Sequence, residues 1–304
     1  MLVTTTEMLR KAQEGGYAIG HFNTSDLETT QAIIEAAVET SSPVIVATST
    51  KALEFAQISE LASIVRRLAA QAPVPVALHL DHGPSRDWVE KCLANGFTSI
   101  MIDASSKPFA ENLALTREVV GLCAPMGVPV EAELGQLKGV EDWVVAQEHV
   151  FTDPVAAEHF VEQTRCSSLA VAIGTSHGAY KFAAASKLDF ERLEIIREHV
   201  HIPLVLHGAS GVPQATLALA AQYGAVIKEA HGVSDEDIRQ AIKLGICKVN
   251  TDTDLRLAFT AAGREFYAKN PENFDPRAFL QATRNAVKQL VKNRIELFGS
   301  AGKA

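Results

Sequence analysis

Histidines and carboxylates collect at the ends of short apolar runs in this sequence. Histidines stand in HFN at 21–23, HLDHG at 79–83 and HG at 207–208, and SHG at 176–178 follows a sixth run. Three imidazoles that converge on one edge of a sheet could hold a catalytic zinc ion and leave a fourth position for water or substrate. Carboxylates accompany the same runs at Asp81, Asp103, Glu131 and Glu133. These residue types predict a metal-assisted reaction.

Glycines and other small residues follow the last three runs. The segments are GTSHG at 174–178, HGASG at 207–211 and NTDTD at 250–254, and the third opens a helical pattern. Backbone N–H groups in such loops and at a helix N-terminus bind anions. In many α/β barrels a phosphate site follows the seventh and eighth strands. We therefore expect a phosphorylated substrate, although each loop alone could be an ordinary tight turn.

The third run leaves open which histidine would bind a metal. His79 and Asp81 share one face of a strand by the period of two, and His82 points to the other face. Gly83 and Pro84 end the strand at once, which leaves His82 room to depart from the alternation. Periodicity alone therefore makes His79 as good a ligand as His82.

Eight apolar runs alternate with amphipathic helical patterns and predict a (β/α)₈ TIM barrel, expected as one domain over residues 1–304. Runs that are apolar throughout suit strands covered on both faces, and eight strand–helix units favour a closed barrel over an open sheet. The predicted strands are 18–23, 43–49, 74–82, 99–104, 129–135, 168–174, 203–208 and 246–251.

Three segments depart from the simple alternation. The stretch 136–152 is polar and long for a connection after a strand, so we expect a mobile lid there. The seventh connection, 209–245, is also long and holds two helical pieces, the second capped by Ser234. An extra C-terminal helix is predicted at 276–298.

Composition narrows the function classes. The 304 residues are 47% hydrophobic and 21% charged with a net charge of −8, which offers no electrostatic footprint for nucleic acid or an anionic membrane. No uncharged apolar run reaches the ~18 residues of a membrane span, and the N-terminus has no signal-peptide pattern. The four cysteines are scattered, as expected for reduced thiols of a cytoplasmic protein.

Seven segments in order resemble class II fructose-bisphosphate aldolases over nearly the whole chain. The segments are ALHLDHG, IDASSKPFAEN, VEAELGQLKGVED, GTSHGAYKF, LHGASGVP, KVNTDTDLRLAFT and IELFGSAGKA. The resemblance implies a lyase of glycolysis and gluconeogenesis. Such an enzyme cleaves fructose 1,6-bisphosphate reversibly to dihydroxyacetone phosphate and glyceraldehyde 3-phosphate with a catalytic Zn²⁺ ion that acts as a Lewis acid.

The resemblance also implies the roles of the metal site. It makes His82, His177 and His207 the zinc ligands and Asp81 the catalytic acid/base, and it leaves His79 to the core. It further implies that Asp103 and Glu133 hold a second or displaced metal ion, and a monovalent cation is a further expected cofactor. Glu141 on the lid is the candidate for moving the C3 proton.

The resemblance implies more residues for the substrate site than for the metal site. Asp252 is implied near C4 of the sugar, and Arg256 with Ser49 at the distal phosphate across a subunit interface, which predicts a homo-oligomer, dimer or tetramer. Asp252 and Arg256 favour the fructose substrate over tagatose 1,6-bisphosphate. The remaining expected substrate residues are Asn23, Gly178, Gly208, Ala209, Ser210, Asn250, Thr251 and Thr253.

Four alternatives stay open at this point. Tagatose 1,6-bisphosphate or another ketose bisphosphate could be the substrate. A metal-dependent hydrolase could use the same histidines. Lys248, which shares its parity with Asn250, could form a Schiff base in the barrel interior. The barrel could also be a catalytically silent binding protein, although each expected ligand and the expected acid/base residue are present.

Overall fold

Eight parallel strands close into a barrel, which confirms the predicted fold. The structure is a computed structural model that describes residues 1–141, 144–146, 149–177, 188–226 and 231–304, with the backbone alone described at 138–141, 144–146 and 177. Each barrel strand is hydrogen-bonded to its neighbours in chain order, and the last pairs with the first. The barrel strands are β1 Ile19–Asn23, β2 Val44–Ser49, β3 Val76–Gly83, β4 Ser99–Ile102, β5 Val130–Leu134, β8 Ser168–Val171, β10 Leu204–Leu206 and β11 Ile246–Thr251.

Continuous apolar runs form these strands because helices cover the outside and side chains fill the inside. Every residue of the eight strands is buried. Met8 and Leu9 of the first helix pack with Ile19, Ile45 and neighbouring residues in one cluster, which closes the N-terminal end of the barrel. The opposite end is left for the polar side chains.

Helices follow the strands, and most begin at a side-chain cap. Asp26, Ser85, Asp153 and Ser234 each accept a backbone N–H from the first turn of the helix they precede, and Ser234 caps as predicted. The helices are α1 Thr5–Gly15, α2 Leu27–Glu39, α3 Thr50–Ala56, α4 Ile58–Gln71, α5 Arg86–Ala94, α6 Phe109–Cys123, α7 Pro154–Thr164, α8 Phe190–His199, α9 Gln214–Gln222, α10 Asp235–Lys243, α11 Thr253–Lys269 and α12 Pro276–Phe298.

The extra helix α12 spans the predicted residues. It packs against α2 and α11, and Phe298 at its end stacks on Phe22 of β1 with ring centroids 6.4 Å apart. Arg284 pairs with Glu35 on α2, and Lys292 pairs with Glu39 at 2.9 Å. In the described part of the chain, no helix has both the length and the apolar character needed to cross a bilayer.

A small second sheet stands in the segment where the sequence predicts only a polar lid. β6 Lys138–Glu141 and β7 Val144–Ala146 are antiparallel, and β6 also pairs in parallel with β9 Ser176–His177. Its strands have two to four residues, too few for a period of two to emerge from the sequence. The segment is therefore partly a hairpin that is anchored to the backbone after β8.

Candidate active site

Two imidazoles face each other at the C-terminal mouth of the barrel. His82 stands near the end of β3, and His207 follows β10 directly. Nε2 of His82 lies 3.0 Å from Nδ1 of His207, and the ring planes are nearly perpendicular at 84°. Both residues are buried. The two histidines therefore form the centre of the site.

The backbone of β3 turns His82 into the site. His82 has a φ of +46°, and the pairing register with β4 shifts between Leu80 and Gly83. A non-glycine residue in this region is strained and is typical of functional sites. The irregularity lets His82 face the mouth together with Asp81, against the simple alternation. His79 lies further back along β3, buried, with Nδ1 2.8 Å from Oγ of Ser99.

Carboxylates fix the orientation of both rings. Nδ1 of His82 lies 2.6 Å from Oδ2 of Asp103, and Nε2 of His207 lies 2.9 Å from Oε1 of Glu131. An ionised carboxylate only accepts, so each of these ring nitrogens donates. The remaining nitrogen of each ring, Nε2 of His82 and Nδ1 of His207, then faces the other ring. Carboxylates arranged in this way are typical of metal-binding histidines.

Protonation of the two rings is unequal. Burial alone would lower the pKa of His82, but the charges of Asp81, Asp103 and Glu133 raise it well above its usual value. Burial lowers the pKa of His207 to about 4, against the hydrogen bond that its Nε2 donates to Glu131, which acts to raise it. Without a cation, a proton on Nε2 of His82 therefore bridges to Nδ1 of His207. A metal ion would take the place of that proton.

The donor atoms suit a metal ion. In one group, ligand atoms of Asp81, His82 and His207 all lie within 4.8 Å of one another, and in another those of His82, Asp103 and Glu133 do. Oε2 of Glu133 lies 4.0 Å from Nδ1 of His82 and 3.9 Å from Nδ1 of His207. Two nitrogens 3.0 Å apart are close to the ~3.3 Å that separates two ligands of a tetrahedral zinc ion.

Asp81 stands beside the histidine pair and is held by two amides. Its Oδ2 accepts from Nδ2 of Asn23 at 2.8 Å, and its Oδ1 accepts from Nδ2 of Asn250 at 3.5 Å. Burial alone would raise the pKa of Asp81, but the neighbouring His21 and His82 hold it well below its usual value. The carboxylate is therefore ionised at neutral pH and can accept a proton.

Lys248 is fully buried inside the barrel, as its parity suggested. Its Nζ lies 2.9 Å from Oε1 of Glu131, the same oxygen that accepts from His207. The Lys248 ammonium compensates the charge of Glu131 there. Because Nζ is engaged with this carboxylate behind His207, the geometry gives no support to the Schiff-base alternative.

The loop after β10 and the start of α11 line a small cavity next to His207. Gly208 has a φ of +61°, and a Cβ there would lie 2.6 Å from the carbonyl oxygen of Ser176, so only glycine fits. Ala209 and Thr251, which neighbour lining residues in the chain, are buried. The lining residues are Asn23, His207, Gly208, Ser210, Asn250, Asp252 and Thr253.

A larger cavity of about 500 Å³ opens beside the first. Asn23, Ser49, Asp252 and Arg256 stand in its wall. The side chain of Arg256 is 65% exposed and pairs with Asp252 one turn earlier on α11, with Nη2 2.7 Å from Oδ2. Asp252, directly before α11, and Arg256 within it therefore face one open cavity.

Three expected residues are described in part or not at all. The backbone of His177 pairs with Gly139, next to the Ser176 carbonyl that approaches Gly208. The side chains of His177 and Glu141 lie outside the described residues, as does the whole of Gly178.

Sequence reasoning missed the supports of the site. It assigned no specific role to Glu131 or His21 and considered Lys248 only as a Schiff-base residue, although His21 contacts Asn23 at 3.0 Å and Asp81 at 3.6 Å. Glu131 shares its strand parity with Glu133, and His21 shares its own with Asn23, so parity alone would have placed both inside the barrel.

Comparison with known proteins decides the family. The model of the family described as fructose-bisphosphate aldolase class-II matches residues 3–303. The chain belongs to the class II fructose-bisphosphate aldolase family. A fructose-bisphosphate aldolase of Thermus caldophilus is 52% identical over 306 aligned residues, with both chains covered fully. One of Helicobacter pylori strain 26695 is 45% identical with the same full coverage.

A solved structure agrees with this membership. The YdjI aldolase of Escherichia coli K12 is 36% identical and superposes with a TM-score of 0.84, and all of each chain is covered. The protein is thus a lyase of the class II aldolase family, and the histidine and carboxylate cluster lies where a TIM barrel carries its chemistry.

Proposed function

We propose that the protein cleaves and forms fructose 1,6-bisphosphate with a catalytic zinc ion, with dihydroxyacetone phosphate and glyceraldehyde 3-phosphate as products. One observation carries the proposal. Nε2 of His82 and Nδ1 of His207 face each other at 3.0 Å because the other nitrogen of each ring donates to Asp103 or Glu131, and Asp81 lies beside the pair. The relatives named fructose-bisphosphate aldolase support the substrate.

His82, His177 and His207 would hold the metal ion. Imidazole nitrogens suit zinc better than magnesium or calcium, which prefer oxygen ligands. When bound, the ion supplies a Lewis acid that polarises the substrate carbonyl. Asp103 orients His82 and remains, with Glu133, a candidate ligand for a second or displaced ion. A monovalent cation stays part of the proposal.

Asp81 would move the proton of the C4 hydroxyl. In the cleavage direction its ionised carboxylate accepts that proton as the C3–C4 bond breaks, and in synthesis it returns the proton. Asn23 and Asn250 hold its two oxygens, so the carboxylate is oriented before substrate arrives. Glu141 on the hairpin is the proposed carrier of the C3 proton.

The two cavities would bind the two halves of the sugar. Backbone groups of Gly208, Ala209 and Ser210, with the α11 N-terminus, would take the phosphate of the dihydroxyacetone half. Gly208, Ser210 and Thr253 line the small cavity beside His207, and a helix N-terminus prefers anions, which supports this. The expected residues Gly178, Asn250, Thr251 and Thr253 complete this half.

The larger cavity would take the distal phosphate. Ser49 and Arg256 stand in its wall, and Asp252 at its edge would contact the sugar near C4. The exposed Arg256 suits a contact to the phosphate bound by a second copy of the chain, so the proposal includes a homo-oligomer. We further propose that residues 1–304 form one domain. The four free, buried cysteines support a cytoplasmic location.

Product analysis tests this function. Purified protein is given fructose 1,6-bisphosphate or tagatose 1,6-bisphosphate, with and without a chelator, and triose phosphates and inorganic phosphate are both measured. We expect triose phosphates from the fructose sugar, loss on chelation and recovery with zinc. Release of inorganic phosphate would instead indicate hydrolysis. Activity with tagatose alone would overturn the assigned roles of Asp252 and Arg256.

A further inference from the structure

A buried ion pair lies behind the loop at 208–212. Asp254, in the first turn of α11, is fully buried, and its Oδ2 lies 3.0 Å from Nη2 of Arg294 on α12. The same carboxylate accepts the backbone N–H of Gly211 at 3.0 Å and that of Val212 at 2.8 Å. One carboxylate therefore ties the C-terminal helix to the loop after β10.

The loop needs this support because its backbone is strained. Val212 has a φ of +48°, which a β-branched residue rarely adopts. A Cβ at Gly211 would lie 2.4 Å from Nη2 of Arg294, so the guanidinium sits directly against the main chain. Strained conformations persist where the surroundings over-determine them. The two hydrogen bonds to Asp254 are such a constraint.

The guanidinium of Arg294 also binds a second carboxylate through its other terminal nitrogen. Its Nη1 lies 2.7 Å from Oδ1 of Asp235 in the first turn of α10, and the residue is 8% exposed. One guanidinium thus joins α10, α11 and α12. Asp254 would be a costly buried charge without this partner. The pair works as a unit.

The N-terminal part of the same loop lines the small cavity beside His207. Gly208 and Ser210 stand in its wall, and Oγ of Ser210 lies 3.4 Å from the backbone N–H of Asp252. We propose that Asp254 and Arg294 are positioning residues that hold the 208–212 loop in the conformation that presents its backbone N–H groups to a substrate phosphate. This inference rests on the proposed function, since it assumes a phosphorylated substrate in that cavity.

The test separates phosphate binding from metal binding and from folding. Asp254→Asn keeps the shape but turns an amide NH₂ toward one loop N–H, and Arg294→Met removes the cation. Arg284→Met is the matched control, because Arg284 also pairs from α12 with a carboxylate, but that carboxylate is Glu35 on α2. The Kd for zinc is measured on each metal-free protein. The Kd for inorganic phosphate, and kcat and KM for fructose 1,6-bisphosphate, are measured on each zinc-loaded protein.

We expect the phosphate Kd and the KM to rise about tenfold in Asp254→Asn and Arg294→Met. This change corresponds to the free energy of about one hydrogen bond. The zinc Kd should stay at the wild-type value, and Arg284→Met should change neither constant. If Arg294→Met fails to fold, Arg294→Lys keeps the charge but loses the fork to Asp235, and a smaller rise in the phosphate Kd is expected.

Wild-type phosphate affinity in folded Asp254→Asn would overturn the inference, and so would a wild-type protein that binds no phosphate. A lower thermal stability with unchanged phosphate Kd would show a purely structural pair and would overturn it too. Failure of the proposed function looks different, because the wild-type protein would then release no triose phosphates whatever the variants bind.

Discussion

Replacing Glu131 with glutamine tests how the barrel interior prepares the metal site. Oε1 of Glu131 accepts from Nε2 of His207 and from Nζ of Lys248, both at 2.9 Å, and all three residues are buried. A glutamine removes the charge and offers one acceptor oxygen where two donors compete. The hydrogen bond that orients His207, with its Nδ1 toward His82, is then weakened.

Glu131→Gln should weaken zinc binding and lower the folding stability through two separate effects. Loss of a carboxylate that orients a metal-binding histidine weakens metal binding by about 10- to 100-fold, or about 1.4–2.8 kcal/mol. Lys248 is also left as a buried charge without its carboxylate, which costs about 3–5 kcal/mol of folding stability. The double variant Glu131→Gln/Lys248→Met removes that charge. It should recover most of the stability and none of the metal affinity.

The assay measures both quantities on the same proteins. Zinc Kd is obtained by competition with a chromophoric chelator, and the unfolding free energy of the metal-free proteins is obtained in urea. Glu158→Gln is the control, because Glu158 accepts from His199 at 2.7 Å on the surface, away from the site. A double variant that binds zinc as tightly as the wild type would refute the orienting role of Glu131.

The other predictions concern the acid/base residue, the pH and the loop. Asp81→Asn should lower turnover by about a hundredfold or more while bound zinc stays at the wild-type stoichiometry; loss of zinc would identify Asp81 as a ligand. Because the raised pKa of His82 keeps a proton on the metal-free site, zinc affinity should fall as the pH falls through neutrality. The slope should be about one log unit per pH unit, and a flat profile in titration calorimetry would contradict the shared proton. Gly208→Ala should destabilise the fold by about 1–3 kcal/mol through its positive φ and the approach of Ser176; unchanged urea unfolding would contradict it.

The barrel could be predicted from the sequence because each strand is a continuous apolar run. All eight predicted runs overlap an observed strand, and the bounds differ by three residues at most. The hairpin of β6 and β7 could not be predicted, because strands of three or four residues are too short for a period of two to show. β6 also pairs with β9, a contact that sequence spacing does not reveal.

The candidate site was predictable in position and less so in geometry. The strand ends located His82, His207 and Asp81 at one mouth, but the left-handed backbone at His82 depends on tertiary packing and could not be deduced from alternation. The Asp254–Arg294 pair escaped for a similar reason. The two residues are 40 positions apart on different helices, and charged residues on helices are usually solvated.

The central claim is that one zinc ion, held by the mouth histidines, makes the barrel an aldolase. The most direct test removes all metal, returns zinc in substoichiometric steps, and follows cleavage of fructose 1,6-bisphosphate against bound zinc per chain. We predict no activity in the metal-free protein and a linear rise that ends at one zinc ion per chain. Full cleavage by the metal-free protein, or a rise unrelated to bound zinc, would contradict the claim.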